Sequence, residues 1–317
     1  MSGAPAPVAF FAFNRPVHAA RTLRALAANP EARETTLHAF VDGPRHGGER
    51  DAVDAVREVV ANATGFAQVH VHAADANRGL FSSITGGVQH VLDAHDRVIV
   101  VEDDVEVAPC FLAYMNDALA RYRDDARVGS IHAYAPPIDG LPAYFFLEGA
   151  DCWGWATWAD RWSLFEPDPR ALLRAMHARR LLRAFTASHG AQSLLQLVHR
   201  AEGRSQSWAT QWHASLFLAG RHTLHPGQSF VTNIGNDESG THAAATDLHR
   251  SDVADRYAGA LPERVQQDVG AARALSSFLD RQALRNVPLP GVIAQPLLRA
   301  YAVAAAQRAA RRLERAA

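Results

Sequence analysis

The chain of 317 residues contains no lysine; all 32 basic side chains are arginine. This excludes chemistry that depends on lysine: the P-loop of nucleotide triphosphatases, Schiff-base catalysis and the kinase strand lysine. The glycine pattern G-x-G-x-x-G is also missing, and the first apolar run ends instead in Asn14-Arg15-Pro16. G-x-S-x-G and H-E-x-x-H are absent, which removes the common serine-hydrolase and zinc-protease signatures. There is no excess of one charge, with 32 basic against 33 acidic side chains. A general nucleic-acid binder would be clearly basic, so no nucleic-acid partner is expected. Only two cysteines occur, Cys110 and Cys152, too few for a disulfide framework or a cysteine zinc site. They read as reduced thiols of a cytoplasmic protein. No apolar run is long enough to span a bilayer, and residues 1–5 lack the pattern of a signal peptide.

What is present begins with alternation. Short apolar runs at residues 8–13, 37–41, 69–73 and 97–101 read as strands. Helical spacing separates them: Ala19, Leu23 and Leu26; then Val53, Val56 and Val60; then residues 80–92. Strands alternating with helices predict an α/β fold with a mainly parallel, Rossmann-like sheet flanked by helices. In such sheets ligands bind beyond the carboxyl ends of the strands, where Asn14, Asp42 and Glu102 fall. A strand at 128–134 precedes a proline-containing loop and an aromatic stretch from 144 to 162. Helices are expected at 170–185, 192–201 and 208–219, with an extended segment at 223–234. The expected organisation is a nucleotide-binding half over 1–135, an acceptor-binding half of the same unit over 136–262, and a helical extension over 263–317. In that extension a helix, a proline-rich break and a final helix are expected.

The most informative segment runs from Arg97 to Glu106, where an apolar strand ends in Glu102-Asp103-Asp104. Adjacent carboxylates repel, so a compensating charge is required; Mg²⁺ or Mn²⁺ would supply it. Such a metal would also bridge a diphosphate and neutralise charge growing on a leaving group. Strand alternation predicts that Glu102 and Asp104 point one way and Asp103 the other. The plainer alternative is a solvated acidic turn before a helix.

Residues 98–109, Val-Ile-Val-Val-Glu-Asp-Asp-Val-Glu-Val-Ala-Pro, resemble the metal-site segment of the Golgi N-acetylglucosaminyltransferase that initiates complex N-glycans. To about residue 245 the chain more closely resembles bacterial family 2 glycosyltransferases of the GT-A fold. The blocks that carry this are Phe13-Asn14-Arg15-Pro16, Val41-Asp42-Gly43-Pro44, Asn77-Arg78-Gly79-Leu80, Cys152-Trp-Gly-Trp-Ala-Thr-Trp158, Ser207-Trp208-Ala209 and residues 233–242. The resemblance implies a metal-dependent, inverting transfer of sugar from a nucleotide-diphospho-sugar to a glycan or glycolipid acceptor. It implies Arg15 and Asp42 near base and ribose, Asn77, Arg78 and Gly79 around the donor, Asp103 at ribose or sugar, and Asp104 as the main metal ligand. Asn14 and Glu102, at strand ends, are counted with the donor-binding candidates. The Golgi enzyme's base lies in a Trp-Asp-Asp-Trp block, where this chain has Trp208-Ala209-Thr210-Gln211-Trp212. The base is therefore sought in Asp237, Glu238 or Asp151, with Asp237 first.

All six tryptophans lie between 153 and 212. Sugar rings pack on aromatic planes, so Trp153-Gly154-Trp155 is a candidate contact, while about four of the six are expected in the core. His242, after Asp237-Glu238-Ser239-Gly240-Thr241, is a second candidate metal ligand. His70 and His72 alternate with Val69 and Val71 and should line a half-polar strand face. From Leu297 onward five arginines stand against one glutamate. A surface helix touching an anionic inner membrane is one reading; a solvated terminal helix with an alanine face is the other, and the one favoured. Two rival functions stand beside sugar transfer: a nucleotidyltransferase that makes nucleotide sugars, and a glycan-binding protein without turnover.

Overall fold

The computed structural model describes residues 4–235, 251–285, 287 and 289–315. The elements in chain order begin with β1 (Val8–Ala12), α1 (Pro16–Ala27), β2 (Thr36–Val41), α2 (Arg50–Ala61), β3 (Gln68–Ala73), α3 (Gly79–Leu92) and β4 (Arg97–Glu102). Then come β5 (Val105–Val107), α4 (Phe111–Arg121), β6 (Val128–His132), β7 (Tyr144–Glu148), β8 (Trp155–Trp158), α5 (Ala159–Trp162), α6 (Pro169–Ala178) and α7 (Leu182–Ala201). The chain closes with α8 (Ala209–Leu218), β9 (His222–Pro226), β10 (Val231–Asn233), α9 (Val269–Leu284) and α10 (Gly291–Arg315).

Eight strands form one sheet in the order β3-β2-β1-β4-β8-β6-β9-β7. The first four are parallel to their neighbours; β8 runs antiparallel to both β4 and β6, and β7 to β9. The α/β architecture expected from the alternation is present, and the sheet continues across residue 135 into the second half. Strand β1 is apolar throughout and β4 from Val98 to Val101, because helices cover both faces. On one side Leu37, Ala39 and Val41 meet Val53, Val56 and Val60 of α2. On the other, Ala9, Phe11, Val98 and Val100 meet Ile84, Val88 and Val91 of α3.

The aromatic stretch does not form a single element. It supplies β7 and β8, and β8 inserts between β4 and β6. Five of the six tryptophans are buried, one more than expected. Trp155 sits among Trp162, Trp208 and Trp212 with ring centroids 5.4–6.0 Å away.

The tail differs from the expectation of a solvated end. Helix α10 starts at Gly291, so Pro296 falls inside it, beyond the first turn. The helix continues through the proline although one i→i−4 hydrogen bond is lost. Its alanine face, Ala302, Ala306, Ala309 and Ala310, is buried against α6 and α7. Small side chains let the helices approach closely. Arg299 donates to Asp280, and Arg312 pairs with Glu202. The other end of α10 is unlike this. Leu289, Val292, Ile293, Leu297 and Tyr301 are all at least 50% exposed there.

Adjacent glycines in α3 give a direct test of packing. A Cβ on Gly87 would lie 2.5 Å from the Phe11 ring, whereas one on Gly86 would meet nothing within 4 Å. Alanine gains up to about 1 kcal/mol over glycine in a helix, and overpacking costs about 1–3 kcal/mol. Gly86→Ala should therefore raise stability and Gly87→Ala lower it. Urea unfolding of the two variants, measured side by side, should show opposite shifts of the midpoint.

Candidate active site at the strand ends

Strands β1 and β4 are hydrogen-bonded neighbours running in the same direction, so their carboxyl ends meet. Arg15 follows β1 and the acids follow β4. The Arg15 guanidinium donates through Nη2 to Asp103 Oδ1 at 2.7 Å and to Asp104 Oδ2 at 2.9 Å. The positive charge required by the acidic run is thus supplied in part by the protein itself. Burial alternates as expected, with Asp103 buried and Glu102 and Asp104 half-exposed. The turn at Asp103-Asp104 nevertheless lets both carboxylates reach one guanidinium.

The surroundings hold these groups in place. The Phe13 amide donates to Asp103 Oδ2 at 3.3 Å, and the Thr22 hydroxyl donates to the Asp103 carbonyl at 2.8 Å. The Ile234 amide donates to the Asp104 carbonyl at 2.8 Å, tying β10 to the acid turn. Gly235 must be small, because a Cβ would lie 2.5 Å from Asp104 Oδ2 and 2.8 Å from Arg15 Nη1. Three carboxylates still share one guanidinium. Desolvation raises the pKa of Glu102, and the charges of Asp104 and Asp103 add to it. Asp103 is raised chiefly by desolvation too, against the pull of Arg15. Burial is the first cause of both shifts, and repulsion among the acids adds to it. Arg15 Nη1 is buried without a hydrogen-bond partner among the described residues.

Asp42 faces the backbone. Its Oδ1 accepts from the Gly43 and Arg78 amides at 2.8 Å each; its Oδ2 accepts from Asn77 Nδ2 and the Gly79 amide at 3.0 Å each. The carboxylate is consumed in holding the turn that starts α3, where an anion also meets the favourable end of the helix dipole. Gly79 takes φ +77°, which glycine allows without strain. The Arg78 side chain is exposed beside this turn. Asn14 Nδ2 reaches Glu49 Oε1 at 3.4 Å, so it is occupied by a local partner.

A cavity of about 330 Å³ opens in the second half of the chain, lined by Tyr134, Phe145, Asp151, Trp153, Gln196 and His225 among others and by none of the acids after β4. Cys152 also lines it, and its thiol is pushed well up, first by burial and then by Asp151 and Glu102. Antiparallel pairing of β8 with β4, Trp155 opposite Val100, brings the segment ahead of β8 alongside the end of β4. Trp153 stands edge-on to Tyr134 with centroids 4.8 Å apart. Gly154 takes φ +63°, and a Cβ there would meet Val231 at 2.9 Å. Trp155, expected as a ligand contact, is fully buried and instead supports the wall. Asp151 is the one candidate base within the described residues. Its Oδ2 stands 3.9 Å from His132 Nε2, and its side chain is 48% exposed. Asp237, Glu238 and His242 lie outside the described residues.

Sequence reading missed the polar floor of this cavity. His189, His213 and His225 line it from α7, α8 and β9, and His132 of β6 is buried next to His225. His189 and His213 have ring centroids 4.1 Å apart, and His132 and His225 5.1 Å. His213 Nδ1 accepts from the Ala150 amide at 3.0 Å, which leaves its Nε2–H as a buried donor. No sequence spacing links four residues on four elements, so no local signal could have found them.

No family model and no curated protein matches the chain. Among solved structures, it is similar to a mannosyltransferase from Pyrobaculum calidifontis in complex with GDP-Man and Mn²⁺ (14% identity, TM-score 0.43, 99% of this chain and 76% of that one). A second is a protein from Desulfovibrio desulfuricans G20, provisionally described as a nucleotide-diphospho-sugar transferase (15% identity, TM-score 0.30, 52% of this chain and 67% of that one). Neither likeness is close enough to carry an argument about activity.

The histidine floor has a consequence for stability. Burial lowers His132 and His225 to about 3 and His213 to about 4, against an ordinary value of 6.5. A depressed histidine binds its proton more weakly when folded, so the unfolded chain gains protons first as pH falls. The contribution is intact above about pH 6.5 and is lost progressively down to the folded values. At pH 5 each such histidine should cost about 2 kcal/mol. Tm should drop steeply from pH 7 to pH 5, and a His225→Gln variant should show a shallower slope.

Proposed function

We propose that this chain is a metal-dependent glycosyltransferase of the GT-A type, moving a sugar from a nucleotide-diphosphate donor to a glycan or lipid-linked hydroxyl with inversion. The observation that carries the reading is the charge shortfall at the end of β4: three carboxylates, one guanidinium, and an arginine nitrogen beside them with no hydrogen-bond partner among the described residues. A divalent cation suits the half-exposed Asp104 and would supply charge for the leaving diphosphate. His242 is the proposed second ligand. Arg15, already between the two aspartates, offers Nη1 to the donor's phosphate or ribose. Arg78 is exposed beside the Asp42-anchored turn, where a guanidinium can fork onto phosphate.

The cavity is proposed to take the acceptor. Its volume suits a small sugar, Trp153 and Tyr134 offer ring faces, and Gln196 offers an amide. We assign Asp151 as the general base, since it lies in the cavity wall with a half-exposed carboxylate. The donor half comprises residues 1–135 and the acceptor half 136–262, with 263–317 as extension.

The exposed apolar end of α10 is proposed to rest on the inner membrane, from which a lipid-linked acceptor would be presented. None of the described helices is long and apolar enough to cross a bilayer. Surface contact is what a short apolar patch on an arginine-bearing helix supports.

Calorimetry with nucleoside diphosphates and their sugars, with and without Mn²⁺, tests the main reading. Asp104→Ala should weaken Mn²⁺-dependent donor binding by more than the roughly 10–100-fold typical of outer-shell residues, with an unchanged far-UV spectrum. Slow Mn²⁺-dependent release of nucleoside diphosphate is expected from the parent. Release of pyrophosphate would instead mark a nucleotidyltransferase, and binding without release a glycan-binding protein. Separately, the parent should sediment with anionic vesicles, and the doubly substituted Val292→Ser, Leu297→Ser should remain in the supernatant.

A further inference from the structure

A second cluster of chemistry-bearing side chains lies on the sheet face that α3 covers, among residues the strand-end site does not use. In the β2–β3 register His38 stands opposite His70, and Phe40 opposite His72. Alternation puts all four on one face. Helix α3 brings His90 over them, and the turn after it brings His95. The rings of His70, His72, His90 and His95 lie 5.0, 5.6, 6.3 and 5.8 Å from that of His38, centroid to centroid.

The nitrogens converge as well as the rings. One ring nitrogen from each of His38, His72 and His90 falls within 4.8 Å of the other two. His38 Nδ1 and His72 Nε2 are 3.3 Å apart. Two nitrogens bound to one tetrahedral zinc at about 2.0–2.1 Å stand about 3.3–3.4 Å apart, so this edge already has the span a metal needs. His38 Nε2 is also buried without a hydrogen-bond partner among the described residues. Ring stacking is present, with Phe40 and His72 at 4.5 Å. Stacking alone does not require nitrogens from three separate elements to face a common point. A single hydrogen bond between His38 and His72 would account for one pair and not for His90.

We propose that His38, His72 and His90 form a transition-metal site of the zinc class, which clamps the edge strand β3 and helix α3 to β2. The donor set is all imidazole, which favours zinc, nickel or copper over magnesium, calcium or manganese. It differs in kind from the carboxylates at the strand ends, and the proposal stands independently of sugar transfer. The clamp would brace β3, an edge strand whose own residues are largely exposed. It would also steady α3, whose first turn carries the Asn77–Gly79 segment held by Asp42.

Zinc binding to the chelator-stripped full chain, followed by calorimetry near neutral pH, tests this. The variants are His72→Gln and His90→Ala; His90 is exposed, so its loss leaves the core untouched. Asp104→Ala serves as the reference that removes the other metal candidate. The parent and Asp104→Ala should each bind one zinc ion at this site and gain Tm on its addition. Each histidine variant should bind at least about tenfold more weakly, by analogy with other metal-shell residues. Cobalt should give the visible bands of a tetrahedral ion in parent and Asp104→Ala, and lose them in His72→Gln. The proposal is overturned if the histidine variants bind zinc as tightly as the parent, or if all zinc binding disappears with Asp104→Ala. Manganese-dependent donor turnover is read separately, so its failure counts against sugar transfer and not against this site.

Discussion

The arrangement turns on one guanidinium serving too many carboxylates. Arg15 closes β1, and Asp103 and Asp104 follow β4; parallel pairing of the two strands brings them together. Everything near them is organised around that balance. Backbone amides of Phe13 and Ile234 and the Thr22 hydroxyl fix the acid turn, and a glycine at 235 leaves it room. A site assembled in this way, with more carboxylates than guanidinium charge, would favour a cation, which is the basis of the proposed donor chemistry. The proposed donor chemistry follows from this more than from any single motif.

The second half supplies what the first cannot. Inserting β8 between β4 and β6 sets Trp153, Asp151 and Cys152 beside the acid turn while anchoring Trp155 in the core. The cavity floor then buries four imidazoles, a costly choice for a protein that could have used leucine there. Polar groups buried without partners persist where a ligand can satisfy them. This is consistent with a pocket that admits a hydroxyl-rich molecule, as the proposed acceptor site requires.

Much of the first half was legible along the chain. The apolar runs, the helical spacing and the abrupt change from Val101 to three acids are local patterns, and each falls where the structure places the corresponding element. The aromatic stretch was not legible: the same composition suits a helix, a loop or a buried strand, and only partners decide among them. The proline-rich break expected in the tail is shorter than composition suggested, because α10 takes Pro296 inside the helix while its alanine face packs on α6 and α7. Asp42 was legible as a strand-end acid, but not that its carboxylate accepts from the Asn77 side chain and the Arg78 and Gly79 amides across the sheet end.

The sequence by itself determined the alternation of elements, the apolar strands and the position of the acidic turn, because periodicity and burial act between near neighbours. Only the tertiary structure decided that Arg15 sits between acids 88 and 89 positions away. It likewise decided which tryptophan meets the cavity, and that histidines of four elements share one floor while others gather under α3. Those pairings depend on strand order and register, which no stretch of chain specifies until the whole sheet has formed.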